Sequence, residues 1–276
     1  AKEPAASRGN LYAAIDVGTT KVCTLIAQVG VNGELKILST GVERSLGMRK
    51  ALVVDMEAMQ QAIHSSWEQA TQGLEGPMPG ACIGVTGSHI VSMHTTGKAA
   101  NLNGSSEKVI TRQAIRRAVK LSYPKVPSQQ EVLHVIPLSY TVDSAQGVRN
   151  PLGLKAHELT VESHAIIGEA ASLDNVVRAV EGAGVTVKGM VLEPLASAEA
   201  VLTGDEREMG VVLVDIGGGT SDIAIFKNGV LAHTAVIPVA GYQFTNDIAM
   251  ALGVPYEVAE EAKLKYGHVI LDEVGS

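Results

Sequence analysis

The chain has 276 residues, 46% of them hydrophobic and 18% charged, a globular mixture long enough for one large or two modest domains. A formal net charge of −7 and an aromatic content of 3%, with Trp67 as the single Trp, exclude a general nucleic-acid binder and stacking platforms for single strands. No apolar run reaches membrane-spanning length, residues 1–10 lack a signal-peptide pattern and read as a disordered arm, and Cys23 and Cys82, outside any CxxC pattern, read as buried free thiols of a reducing cytosol.

In chain order, residues 11–15 and 22–29 read as strands joined by the tight turn Asp16-Val17-Gly18-Thr19-Thr20-Lys21. A third strand is expected near residues 36–42, a loop over 43–50, and a helix over 56–73. In that helix Met59, Ile63, Trp67, Ala70 and Leu74 recur at helical spacing behind a capping Asp55. A strand follows at 81–86. Over residues 88–163 the texture changes: short strands at 90–95, 132–137, 138–143 and 157–163 surround one helix at 111–122, which Pro124 and Pro127 end. This stretch reads as a small inserted subdomain. The α/β pattern then resumes with a strand near 165–167, a helix over 171–182, a strand over 187–192 and a helix opened by Pro194. Gly204 and the charged run 205–208 read as a linker. A strand at 211–214 leads into the turn Asp215-Ile216-Gly217-Gly218-Gly219-Thr220-Ser221-Asp222, followed by strands at 223–226 and 230–238 and helices at about 242–252 and 255–266. The sequence stops within ten residues of the last helix, so a second half repeating the first is expected to be incomplete and the chain truncated.

The two aspartate-and-glycine turns carry the most chemistry. Glycine amides beside hydroxyls make a cradle for phosphate oxygens, and an Asp in the same turn can face a hydrated metal ion. Neither GxxxxGK[ST] nor a spaced GxGxxG is present. One such turn alone equals an ordinary glycine hairpin; two, far apart in one chain, point to a nucleotide gripped between two similar halves. In Leu192-Glu193-Pro194, a Glu at a strand end can orient a water for attack on phosphorus, or simply complement a helix dipole. Glu260 and Lys263 share a helix face, where a solvated ion pair is the plain alternative to a ligand contact. Arg112, Arg116 and Lys120, with Arg117 beside them, form a basic stripe that reads as a solvated face or as a docking surface for an acidic partner. His89 and His94 are an odd number apart and face opposite sides of a strand, so they share no metal.

The order of Asp turn, Glu-Pro helix and Asp-Gly-Gly-Gly-Thr hairpin resembles the actin-like ATPase superfamily and, within it, most closely the FtsA family of bacterial cell-division proteins. Beyond the shared nucleotide motifs, the resemblance rests on Gly47-Met48-Arg49-Lys50, Gly87-Ser88-His89-Ile90, Leu133-His134-Val135-Ile136-Pro137, Thr245-Asn246-Asp247-Ile248-Ala249 and Lys263-Leu264-Lys265-Tyr266-Gly267. It implies an α/β, actin-like (ribonuclease H-like) fold of two lobes with mixed sheets flanked by helices, plus a small inserted α+β subdomain. The first lobe would comprise residues 11–87 and 164–206, the insertion 88–163, and the incomplete second lobe 207–276. ATP and Mg²⁺ would lie in the central cleft. Asp16 and Asp215 would hold the hydrated cation; Gly18, Thr19, Thr20 and Lys21 would contact phosphates from one side, and Gly217, Gly218, Gly219 and Thr220 from the other. Glu193 matches the family's water-positioning acid, and Glu260 and Lys263 match residues beside the adenosine. The family's activity is at most slow Mg-dependent ATP hydrolysis. Its partners are the ring protein FtsZ, other division proteins and further copies of itself, and no nucleic acid. It sits at the inner face of the plasma membrane through a C-terminal amphipathic helix, which with most of the FtsZ-receiving lobe would lie beyond Ser276. The alternatives within the fold are a PilM-type pilus-assembly scaffold and a small-molecule kinase.

Overall fold

The structure, a computed structural model, describes residues 10–100 and 109–270; of the arm expected over 1–10, residues 1–9 lie outside the described residues and Asn10 already opens the first strand. Strands β1 (Asn10–Val17), β2 (Lys21–Val29) and β3 (Leu35–Arg44) run antiparallel through tight turns. After the two-residue strands β4 (Met48–Arg49) and β5 (Leu52–Val53) and helix α1 (Met56–Thr71), strand β6 (Ala81–Val85) pairs parallel to β1. The sheet is completed much later by β11 (Val187–Leu192), parallel to β6, giving the order β11-β6-β1-β2-β3.

Helix α1 starts where expected because the Asp55 carboxylate accepts the Ala58 N–H. It lies on the sheet at very short range: a Cβ on Gly41 of β3 would stand 1.9 Å from the Ser66 carbonyl oxygen. Ser66 Oγ donates to the Gly41 carbonyl at 2.9 Å and is hydrogen-bonded to Thr24 Oγ1 at 2.8 Å, so the polar group in this dry seam is satisfied. Cys23 is partly buried, but Cys82 is exposed, which corrects the expectation of two buried thiols. Strand alternation explains it: Ala81, Ile83 and Val85 take the core face of β6 and Cys82 takes the other.

A second sheet has the order β7-β10-β8-β9, from β7 (Ile90–Ala100), β8 (Gln130–Val142), β9 (Ala145–Val148) and β10 (Glu158–Glu169), with helix α2 (Arg112–Leu121) on one face. Its small core of Leu159, Val161, Ala99, Ala114, Ala118 and Val142 is separate from the main core. Two expected breaks are absent. The strands read on either side of Pro137 are one strand, because the proline sits at a bulge where pairing with β10 shifts between Ser139 and Pro137. The strands read on either side of His164 are also one, β10, and β9 was not expected at all.

Helices α3 (Ala170–Gly182) and α4 (Glu193–Val201) flank β11, with Pro194 in the first turn of α4 as expected. The run read as a linker is a short helix, α5 (Gly204–Met209), opened by a capping box between Thr203 and Glu206. Strands β12 (Val211–Ile216), β13 (Ser221–Lys227) and β14 (Val230–Ile237) form a three-stranded meander, followed by α6 (Gly241–Leu252) and α7 (Tyr256–Tyr266). Helix α6 ends on Gly253, which takes the left-handed conformation at φ 65 that favours glycine. The main core runs without interruption from Ile15, Ile63 and Ile83 to Ala224, Phe226 and Leu231 of the meander.

The second sheet is joined to β14 by polar contacts. Ser92 Oγ donates to the Thr234 carbonyl at 3.1 Å, His94 Nε2 donates to the Ala232 carbonyl at 3.1 Å, and His164 Nε2 is hydrogen-bonded to Thr234 Oγ1 at 3.1 Å. His164 is fully buried between His94 and His233, with ring centroids 5.6 and 6.3 Å away. Burial, and then the two neighbouring imidazoles, push its pKa down to about 4.

Candidate functional site

The β1–β2 and β12–β13 turns have the same internal construction. Gly18 N–H donates to the Lys21 carbonyl at 3.1 Å, and Gly217 N–H donates to the Thr220 carbonyl at 2.9 Å, each two residues after the strand-end Asp. None of Gly18, Gly217, Gly218 or Gly219 has a positive φ, so they serve space rather than a left-handed backbone. The space is needed because the turns meet. A Cβ on Gly218 would stand 1.9 Å from Thr20 Oγ1, and one on Gly219 2.7 Å from Thr19 Oγ1. Together they line a cavity of about 290 Å³ that holds Asp16, Gly18, Thr19, Thr20, Lys21, Asp215, Gly217, Gly218, Gly219, Thr220 and Glu193. Eleven of the thirteen residues expected at the site therefore share one cavity.

The turn of the second half is also held from behind. The first two amides of α6 donate to it: Gly241 N–H to the Gly217 carbonyl at 3.1 Å and Tyr242 N–H to the Gly218 carbonyl at 2.8 Å. In a trans peptide the N–H points opposite to the C=O, so the amides of Gly218 and Gly219 are aimed away from α6, on the cavity side.

Four carboxylates face this cavity, Asp16, Asp215, Asp222 and Glu193. Glu193 opens α4 and lies over β6, where Gly84 leaves it room: a Cβ there would come within 3.2 Å of its Cγ. Desolvation first, then the charges of Asp16, Asp222 and Asp215, hold its carboxyl well above the ordinary glutamate value. Asp16 is raised by desolvation from the walls around it and by Asp215, with Lys21 acting against this. Asp222 is raised by desolvation despite hydrogen bonds from Thr86 and from Thr220. One turn along α4 from Glu193, Ser197 Oγ donates to Asp215 Oδ2 at 2.7 Å. His134 Nε2 accepts the Leu192 N–H at 3.0 Å, anchoring the strand end before Glu193. Burial lowers the His134 pKa, which keeps that nitrogen free to accept.

Thr86, Gly84, His134 and the role of Ser197 were missed in the sequence. The first two stand on or just beyond β6, whose parallel pairing with β1 brings both strand ends to one edge. Their only local signal is an unremarkable apolar strand. Glu260 and Lys263, in contrast, are outside the cavity lining. Lys263 Nζ bonds Glu260 Oε2 at 2.7 Å and Thr245 Oγ1 at 2.8 Å, and Thr245 also donates to Glu260. Desolvation opposes ionisation of Glu260, but the bonds from Lys263 and Thr245 outweigh it and lower its pKa. This triad backs Gly241, 3.8 Å from where a Cβ there would stand, and so reaches the second turn only through α6.

The donor set is all oxygen: carboxylates and threonine hydroxyls, the chemistry of a hard cation such as Mg²⁺. Among the described residues no three His, Cys, Asp or Glu side chains converge on one point, so a cation here fits only with water and ligand oxygens completing its shell. No helix among the described residues is long and apolar enough to cross a membrane.

A family model described as Cell division protein FtsA matches residues 212–276, and one described as the SHS2 domain inserted in FTSA matches residues 87–167. The cell division protein FtsA of Pseudomonas aeruginosa is 38% identical over 268 residues, 97% of this chain and 64% of that protein. The FtsA proteins of Neisseria meningitidis and Escherichia coli K12 are 34% and 35% identical, over 95% and 96% of this chain. The chain thus spans a little under two thirds of the length of these relatives. Among solved structures, the PilM–PilN type IV pilus biogenesis complex is similar with a TM-score of 0.68 at 16% identity, over 93% of this chain and 70% of that one. The ethanolamine utilization protein EutJ from Carboxydothermus hydrogenoformans is similar with a TM-score of 0.53 at 16% identity, over 95% of this chain and 64% of that one. These likenesses show an actin-like fold.

Proposed function

The chain belongs to the FtsA family of cell-division proteins, and on that premise we propose that its paired turns bind ATP with Mg²⁺ as a switch for assembly during division. The observation that carries this reading is the meeting of two identically built Asp-Gly turns across one cavity lined by four carboxylates. Ionised carboxylates repel a polyphosphate, so this acidic cavity suits a nucleotide only together with a cation. When bound, Mg²⁺ supplies the positive charge that screens those carboxylates from each other and from the phosphates. Asp16 and Asp215 would face it; Gly18, Thr19, Thr20 and Lys21 would bind phosphate oxygens from one side, and Gly217, Gly218, Gly219 and Thr220 from the other. Ser197 would hold the Asp215 carboxylate in orientation. Glu193 would position a water for slow hydrolysis. Glu260 and Lys263 would act beside the adenosine through the position of α6.

The proposed organisation follows: residues 11–87 and 164–206 as one lobe, 88–163 as an inserted unit, and 207–276 as part of a second lobe. In the family's manner the protein would self-associate and link FtsZ to the inner face of the plasma membrane. The pilus-scaffold alternative rests on a 16% likeness, which speaks to fold alone. Calorimetry with ATP tests the reading. Binding should be strengthened by Mg²⁺, and Asp215→Asn should weaken Mg-ATP roughly tenfold while leaving metal-free ATP no weaker. Unchanged Mg-ATP affinity in the variant would remove the metal role.

A further inference from the structure

A second chamber, of about 330 Å³, lies beside the phosphate cavity and shares Thr19, Thr20, Met48 and Gly219 with it. Its volume is at the lower end of what small-molecule sites occupy. One wall is the segment from Arg44 to Val54, and the other is residues 238–243 with Tyr256. The two walls differ from the neighbouring cavity in charge. Arg44, Arg49 and Lys50 line the chamber, and none of them enters an ion pair among the described residues. Facing them, the rings of Tyr242 and Tyr256 stack with centroids 5.1 Å apart and planes 25° apart.

Ser45 also lines the chamber; it is only 7% exposed, and its Oγ has no hydrogen-bond partner. A buried hydroxyl without a partner is a costly arrangement, and a ligand oxygen would relieve it. The wall that carries the cations is held in an unusual backbone state. Lys50 and Ala51, at φ 49 and 61, form the β4–β5 turn in the left-handed region with no glycine. Two contacts keep it there: Ala51 N–H donates to Thr19 Oγ1 at 3.2 Å, and Gly219 leaves room for Lys50, whose Cα would stand 2.9 Å from a Cβ at that position. Such strain persists where the surroundings over-determine it, typically at ligand sites.

We propose that this chamber binds a small aromatic organic anion, a phosphate or carboxylate group on Arg44, Arg49, Lys50 and Ser45 and a ring against Tyr242 and Tyr256. The cations are already present, so this ligand needs no metal, unlike one in the neighbouring carboxylate-lined cavity. It also occupies a different volume, so it and a nucleotide can be held together.

Phenyl phosphate in EDTA, followed by ligand-observed NMR on the full chain, tests the proposal without relying on nucleotide binding. Saturable binding is expected, with inorganic phosphate at least tenfold weaker because it lacks the ring. The double variant Arg49→Gln/Lys50→Gln, and separately Arg44→Gln, should each weaken phenyl phosphate about tenfold. Absence of saturable binding, or equal affinity in all three proteins, overturns the proposal. A last arm adds saturating Mg-ATP. Phenyl phosphate affinity unchanged within about threefold supports a separate site, whereas full displacement overturns it by making the chamber part of the nucleotide's own site. Failure of the nucleotide reading would show as absent Mg-ATP binding with the metal-free arm intact.

Discussion

Acidification from pH 7 to pH 5 should destabilise the joint between the second sheet and β14, and His164 sets the size of the effect. It is fully buried, and its pKa of about 4 lies well below the ordinary histidine value near 6.5. In that window the unfolded chain takes up a proton that the folded chain refuses. The contribution of His164 to stability is therefore complete above pH 6.5, falls as the pH drops, and is fully lost below about pH 4. At pH 5 the unfolded imidazole is almost wholly protonated and the folded one almost wholly neutral, a loss of about 2 kcal/mol relative to pH 7. For a chain of this size that corresponds to a fall in Tm of roughly 4–8 °C. The raised carboxylates Asp16, Asp222 and Glu193 act in the opposite sense, binding protons more readily when folded. The groups facing His164 are the rings of His94, itself paired with Glu162 at 3.6 Å, and His233. The assay is accordingly a difference: thermal unfolding of the parent and of His164→Gln across pH 5 to 7. The amide keeps a partner for Thr234 but does not titrate, so the variant should lose the His164 share of the slope. Parallel slopes, or an NMR titration placing the His164 ring near pH 6.5, would refute the reasoning.

Two further outcomes follow from the geometry. Glu193→Gln should slow phosphate release roughly a hundredfold while leaving Mg-ATP affinity within a few fold; equal turnover in mutant and parent would sink the water-positioning role. Gly41→Ala forces a methyl group into the Ser66 carbonyl and the Ala70 amide of α1, both backbone atoms that cannot swing aside. Overpacking of this kind should cost about 1–3 kcal/mol and lower Tm by several degrees in differential scanning calorimetry, and an unaltered Tm would mean the helix is not seated on β3 as described.

The parts of the fold legible in the sequence are those fixed by neighbours along the chain. Asp55 capped α1, Pro194 opened α4, and the glycines of both turns fell between apolar strands, all local chemistry. What escaped was fixed from afar. Pro137 looked like a strand end until β10 supplied the bulge that tolerates it. Ser163 and His164 looked like a polar break, but Ser163 Oγ pairs with Ser122 Oγ at 2.9 Å and His164 Nε2 with Thr234 Oγ1 at 3.1 Å inside a continuous buried strand, and only the His164 Nδ1 is left without a partner. Capping by Thr203 and Glu206 turned a charged linker into a helix. At the site, the residues within the two turns were readable, while Thr86 and Gly84 depended on which strand lies beside β1. Glu260 and Lys263 form the ion pair that their spacing alone predicted, and the cavity does not include them.

The two amides that α6 gives to Gly217 and Gly218 make that helix an electrical lead rather than a wall. Most helices that favour anions present their own free N–H groups to the ligand; here the first two are consumed by the glycine turn. The positive end of the helix macrodipole is handed on through two peptide units, each polarised by the bond behind it, to emerge at the Gly218 and Gly219 amides. The field at the cavity therefore depends on two bonds of 3.1 and 2.8 Å. The Thr245–Glu260–Lys263 triad behind α6 therefore bears, through that helix, on the Gly218 and Gly219 amides at the cavity.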